Sequence, residues 1–291
     1  MQVPGKHNMV RLQFIAVLTL MLVAGLHMEP PRRYVAPALL DTRAVVEETR
    51  SVAPDVVPDF SAIADVTEKK TSFFDFLQPY INTENARIKR LRAKLLAVVA
   101  KIKDSTPLDY VETQFLQDLS LTYEVETDDL ESPGFLATLV RRVDVIPPSL
   151  VLAQAANESA WGTSRFAIEG YNFFGQWCYT EGCGLVPQRR RASAFHEVKS
   201  FSSIQDSVNA YFMNLNTFPS YQELRSIRQE LREREKPIDG ISLAEGLSKY
   251  SERGEDYINE LRSMIYYNAL LERDREDHSE IPGLNQGTEY Q

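Results

Sequence analysis

The stretch Pro147–Ser164, reading Pro-Pro-Ser-Leu-Val-Leu-Ala-Gln-Ala-Ala-Asn-Glu-Ser-Ala-Trp-Gly-Thr-Ser, constrains this chain more than any other. Pro148 suits a first helical turn, where its missing N–H is no loss, and Gly162 suits the position just past a helix end. The spacing therefore predicts one short helix. Leu150, Val151, Gln154 and Glu158 recur at helical intervals, while the alanines between them let neighbouring elements approach closely. Glu158 is then the carboxylate at the end of an otherwise apolar helix, expected to face inward or into a cleft. In the last turn it meets the negative end of the helix dipole, and beside Trp161 it is partly desolvated. Both effects disfavour the ionised form. A raised pKa is what a general acid requires.

Glu158-Ser159-Ala160-Trp161-Gly162-Thr163-Ser164 followed by Tyr171-Asn172-Phe173-Phe174-Gly175 resembles the paired motif of the glucosaminidase family, glycoside hydrolase family 73. The resemblance covers about residues 135 to 272, and within the family it is strongest to the Bax-type members. Two motifs at this separation are specific, whereas a lone Glu-Ser-x-x-Gly is also carried by lytic transglycosylases. The resemblance implies a mainly α fold: a lysozyme-like helical domain with a small β-hairpin lobe, preceded by an amino-terminal helical region. It implies a glycan-cleaving enzyme with Glu158 as the catalytic acid, and a sugar groove lined near that acid by the Tyr171–Gly175 segment. Trp161, Tyr171 and Phe174 are candidate faces for pyranose rings, and Asn172 is a candidate for orienting an amide or hydroxyl. For each aromatic the alternative is core packing.

Glycoside hydrolysis ordinarily needs a second group that stabilises or attacks the anomeric carbon. The family often carries a further acid on the hairpin after the second motif, and this chain has Gln188 near that place. Glu181 and Glu197 are nearby carboxylates that do not match the position. Attack by the substrate's own N-acetyl oxygen removes the need for a protein nucleophile, and Tyr221, in a Pro-x-Tyr turn like the family's, is the candidate for orienting that amide or else a core residue. The expectation is a peptidoglycan hydrolase that cleaves the β-1,4 bond on the reducing side of N-acetylglucosamine. A lytic transglycosylase and a non-catalytic cell-wall scaffold are the alternatives, the second favoured by Gln188.

Charge and cysteine content narrow the partners. The net charge of -9 argues against nucleic acid, because phosphate binding needs a basic face. The one dense basic run, Arg189-Arg190-Arg191, reads as a solvated loop or as a holder of acidic parts of a cell-wall polymer. Cys178 and Cys183 enclose Tyr179-Thr180-Glu181-Gly182, and in an exported chain a short-loop disulfide is the better reading, with two buried thiols as the alternative. No ligand spacing for zinc accompanies them, the histidines are dispersed, and no phosphate loop is present, so neither a metal nor another cofactor is expected.

Lys6 and Arg11 precede an apolar run from Phe14 to Leu26, the pattern of an export signal. Cleavage near Ala24 and Gly25, or retention as a membrane anchor over residues 10–28, both remain open; either way the bulk is expected outside the cytoplasm, in the periplasm or anchored facing it. Residues 29–66 read as a Pro-rich linker and 67–134 as a helical amino-terminal region. There the Phe73–Ile81 cluster is followed by a helix capped by Asn82 or Asn85, with Ile88, Leu91, Leu95, Val98, Val99 and Ile102 on one face and Arg92 among the basic residues on the other. Thr106-Pro107 is expected to open the next helix. The recognised domain is taken as 135–272, with Ser242–Glu245 as a capping box and Gly254 closing that helix. Residues 273–291 are expected to be a polar, frayed tail.

Overall fold

The computed structural model describes residues 56–188 and 196–276; the apolar run, most of the expected linker and Arg189–Arg191 lie outside the described residues. A 3-10 turn, Phe60–Ala62, leads into α1 (Val66–Lys103), α2 (Tyr110–Thr122), α3 (Pro133–Arg142), α4 (Pro148–Glu158) and α5 (Arg165–Gly170). Strands β1 (Trp177–Cys178), β2 (Gly184–Leu185) and β3 (Glu197–Lys199) follow. The chain then forms α6 (Ile204–Thr217), a 3-10 turn at Pro219–Tyr221, α7 (Gln222–Glu233), α8 (Gly240–Ala244), a 3-10 turn at Glu245–Leu247, α9 (Glu255–Tyr267) and α10 (Leu271–Glu276). This mainly helical architecture with one small antiparallel sheet agrees with the lysozyme-like expectation.

Helix α4 is the axis of the larger core. Every residue from Pro148 to Ala156 is buried, and a helix apolar on all sides is stable only when covered on all sides. α1, α8, α9 and α10 supply the cover. The fully buried Ala153, Ala155 and Ala156 allow that close approach. No side chain of its own caps the start of α4; Asp274 does so from the far end of the chain. Its carboxylate accepts from the Ser149 N–H and the Ser149 hydroxyl, each at 2.7 Å, where the helix leaves orphan donors and positive partial charge. Order therefore continues past Arg273, where a frayed tail was expected. Gly240 completes the junction, because a Cβ there would lie 2.3 Å from Ser149 Oγ.

α1 is one uninterrupted helix through Pro79, not a cluster followed by a capped helix. Asn85, expected as a cap, is fully buried and holds the turn before α4: its Nδ2 donates to Ile146 O (2.9 Å) and its Oδ1 accepts from Ile146 N (3.2 Å). α1 from Phe73 to Ile88 packs Phe73, Leu77, Ile81 and Ile88 into the α4 core, and Phe60, inside the stretch read as linker, joins them. The carboxy-terminal half packs Leu95, Val98 and Val99 into a second core with α2 and α3. Arg92 turns inward, its Nη1 donating to Val140 O and to Val143 O. Asp109 with Glu112, rather than Thr106-Pro107, forms the capping box of α2. Asp239, accepting from Ser242 N, caps α8, and Gly254 (φ 51) precedes α9 rather than ending a helix.

The lobe is a three-stranded antiparallel sheet of order β1-β3-β2, not a simple hairpin. Trp177 opposes Val198 on one side of β3, and Leu185 opposes Val198 on the other. Gly184 is required here, since a Cβ would sit 2.0 Å from Val198 O. The Cys178–Cys183 disulfide is formed, with Cα atoms 6.2 Å apart, and ties β1 to the start of β2.

Candidate active site

Glu158 is the last residue of α4. The chain leaves the helix through a locked turn: the Ser159 hydroxyl donates to Ala155 O (2.6 Å) and accepts from Gly162 N (2.8 Å). Ala160, Trp161 and Gly162 then pass through left-handed backbone with φ of 52°, 60° and 74°, a conformation that side-chain-bearing residues adopt at a cost. The turn carries Trp161 to α1, where its ring meets Phe73 and Phe74 edge-on at 5.9 and 5.4 Å and Lys70 Nζ lies 5.2 Å from its centroid. Trp161, expected beside the sugar, is thus an aromatic anchor of the turn.

The Glu158 carboxyl group is half-buried, at the end of a buried hydrogen-bond series. The Tyr211 hydroxyl donates to Gln154 Oε1 (2.5 Å), Gln154 Nε2 donates to the Tyr257 hydroxyl (2.9 Å), and that hydroxyl donates to Glu158 Oε1 (2.9 Å). Burial raises the Glu158 pKa above the usual carboxylate range; the charge of Glu260 acts the same way, and Tyr257, Asn157 and Arg253 oppose it. The expected direction is met, with desolvation as the leading cause.

The second motif reaches the acid through its backbone. Gly175 (φ 64°) passes so close that a Cβ would lie 3.5 Å from Glu158 Oε2. Asn172 and Phe174, expected to touch substrate, shape this loop instead. Asn172 is buried, its Nδ2 donating to Gln176 O and Lys199 O and its Oδ1 accepting from Phe174 N and Gln176 N. That fills its hydrogen-bonding capacity. Phe174 is buried and stacks on Tyr211 with centroids 4.1 Å apart. Tyr171 (φ 50°) caps the end of α5 and packs, half-buried, against the main core.

Tyr221 belongs to an aromatic group that leads toward Glu158. It is buried on the turn after α6, its ring 5.9 Å from that of Tyr250, which lies parallel to Tyr257 at 5.6 Å. Burial raises the Tyr221 pKa, a side-chain hydrogen bond with Asn214 opposes the rise, and the charge of Glu158 adds to it. Tyr250 also donates to Phe174 O at 3.0 Å. Tyr221, Tyr250 and Tyr257 thus form a run of rings whose last member holds the Glu158 carboxyl group. Tyr257 and Tyr250 were missed in the sequence because aromatics at helical spacing read as core. The available signal was Gln154, an amide one helical turn before Glu158 on an otherwise apolar helix.

Among the other carboxylates, Glu197 is buried and accepts from Gly182 N (3.1 Å) and Gly184 N (2.8 Å), so it fixes the lobe. Glu181 and Gln188 are exposed. Cys178, Cys183 and Glu197 lie within metal-ligand reach of one another. The sulfurs are covalently joined and the carboxylate is taken by two amides, so this group does not fit a metal. Trp177 and Tyr179, close after Gly175 in the chain, are exposed, and Trp177 stacks on His196 at 4.3 Å. No helix among the described residues is long and apolar enough to cross a membrane.

Comparison with known proteins adds two matches. Residues 136–270 match the Glucosaminidase family model, described as mannosyl-glycoprotein endo-beta-N-acetylglucosaminidase. Over 215 residues the chain is 33% identical to Protein bax of Escherichia coli (strain K12), covering 74% of this chain and 75% of that one. No solved structure gives a significant match.

Proposed function

Because the chain belongs to the glucosaminidase family, as a Bax-type member, we propose that it is an exported peptidoglycan hydrolase cleaving the β-1,4 bond on the reducing side of N-acetylglucosamine. The observation that carries this reading is the half-buried Glu158 carboxyl group, held by Tyr257 and raised in pKa by burial. Protonated Glu158 donates its proton to the glycosidic oxygen as the bond to the anomeric carbon breaks. The 2-acetamido oxygen of the same sugar attacks that carbon and closes an oxazolinium ring. Water then opens the ring, giving its proton to the Glu158 carboxylate. Tyr221 orients the acetamido group, and the exposed rings of Trp177 and Tyr179 on the lobe offer apolar faces to neighbouring sugars.

The apolar run at residues 14–26 delivers the protein across the membrane, either cleaved away or kept as an anchor. The test is mass spectrometry of products released from purified peptidoglycan by the full chain and by Glu158→Gln. Products with N-acetylglucosamine at the reducing end, absent with the variant while polymer binding is kept, support the reading. An anhydro product indicates a lytic transglycosylase. Gln188, where the family often has an acid, favours a non-catalytic scaffold as the second reading; wild type and variant would then be equally inert.

A further inference from the structure

A cavity of about 590 Å³ opens between the carboxy-terminal half of α1, α3 and α7. That volume lies within the range of small-molecule sites. Leu96, Val99, Leu136 and Val140 give it aliphatic walls, and none of the groups assembled around Glu158 lines it.

Charged residues also line it, among them Arg92, Lys103, Arg141, Asp144 and Arg232, and the one that stands out is Arg225. This side chain is only 4% exposed, and its Nη1 donates to Leu215 O and Phe218 O, both at 2.9 Å. Among the described residues no carboxylate pairs with it, and the charges acting on it are those of Arg142, Arg228 and Arg141. The buried acid in the same wall, Asp144, is already engaged by Arg232 at 2.5 Å, Arg92 at 3.4 Å and Arg228 at 3.8 Å. Burying a cation without a counter-charge is strongly unfavourable, and this one borders an open space. The exposed charges of the lining offset one another, Glu131 and Glu233 against Lys103 and Arg232, so the buried guanidinium is the cation left for an anion.

We propose that this cavity binds a linear aliphatic carboxylate, its head on Arg225 and its chain along Leu96, Val99 and Leu136. The head completes the charge-assisted hydrogen bonds that a guanidinium fork is built to make, and the tail displaces water from aliphatic walls. The site stands independently of whether Glu158 cleaves a glycan.

The test is calorimetric titration of the full chain with dodecanoate below its micelle concentration, beside 1-dodecanol and acetate. Two variants accompany it. Arg225→Gln removes the charge, and Ala137→Trp fills the cavity from an exposed position on α3 without touching an ion pair. Expected are one site per chain for dodecanoate, binding at least tenfold weaker in Arg225→Gln and none in Ala137→Trp. Equal binding in Ala137→Trp, or no binding to wild type, overturns the proposal. Dodecanol binding as tightly as dodecanoate shows that the head is not read, and acetate binding as tightly shows an adventitious ion only; each overturns it. Should Arg225→Gln fail to fold, Ala137→Trp decides.

Discussion

The Tyr257 hydroxyl donates to Glu158 Oε1 at 2.9 Å, joining residues 99 positions apart in the chain and placing the acid under the control of α9. Tyr257 favours the ionised carboxylate, against the rise caused by burial. In Tyr257→Phe that opposition is gone, so the Glu158 pKa rises further and the protonated acid persists to higher pH. The basic limb of the kcat profile should move upward, while kcat at its optimum falls on the order of 10-fold as the carboxyl group loses its fixed orientation. A basic limb that stays put or moves down would rule out this role for Tyr257.

Tyr221→Phe separates substrate orientation from packing. The ring keeps its contacts with Tyr250 and Phe218 and the protein loses only the hydroxyl's bond with Asn214, so the melting temperature should stay within a few degrees of wild type. If the hydroxyl orients the acetamido group only as the ring closes, kcat drops on the order of 100-fold with KM little changed. A rise in KM alone would mean that Tyr221 only binds.

Asn85→Ala leaves the N–H and the carbonyl of Ile146 without partners inside the core. Each orphaned group costs about 1–3 kcal/mol. The expected outcome is a urea midpoint well below that of wild type with an unchanged slope. Asn85→Asp is expected to recover only the bond from Ile146 N.

Asp274 carries a pH signature. Burial raises its pKa from the ordinary 3.8 to about 6, although the Ser149 bonds pull it down. A raised carboxyl pKa means that folding favours the protonated form. This contribution is fully present below about 3.8 and is lost as pH rises through about 6. The stability of wild type relative to Asp274→Asn should therefore increase from pH 7 to pH 4, as read from urea titrations. A constant difference would show that Asp274 does not titrate in this window.

The fold and the place of Glu158 at a helix end were legible because their signals are local. Proline at the start of α4, glycine after its end and unbroken small or apolar residues between them define a buried helix, and Glu158 is its one charged residue. The partners of Glu158 were not legible, because Tyr257 and Tyr250 look like any core aromatics until α9 is folded against α4. Residue type also misled at Arg92, read as one of the basic residues on the outer face of its helix. Guanidinium groups in amphipathic stretches read as solvated, yet Arg228 is fully buried because Asp144 O, Val145 O and Arg141 O accept its donors. Asn172 and Phe174 belong to the second motif, but Asn172 is held by backbone carbonyls 4 and 27 residues away and Phe174 by the ring of Tyr211.

α1 threads both cores, with Ile88 in one and Leu95 in the other, two helical turns apart on a single rod. Heating cannot detach the α2–α3 side while leaving the α4 side as it was, because fraying the rod at one end shortens the lever that steadies the other. The protein should therefore melt in one calorimetric step, and a truncation that removes α1 should leave the remaining helices without a common spine.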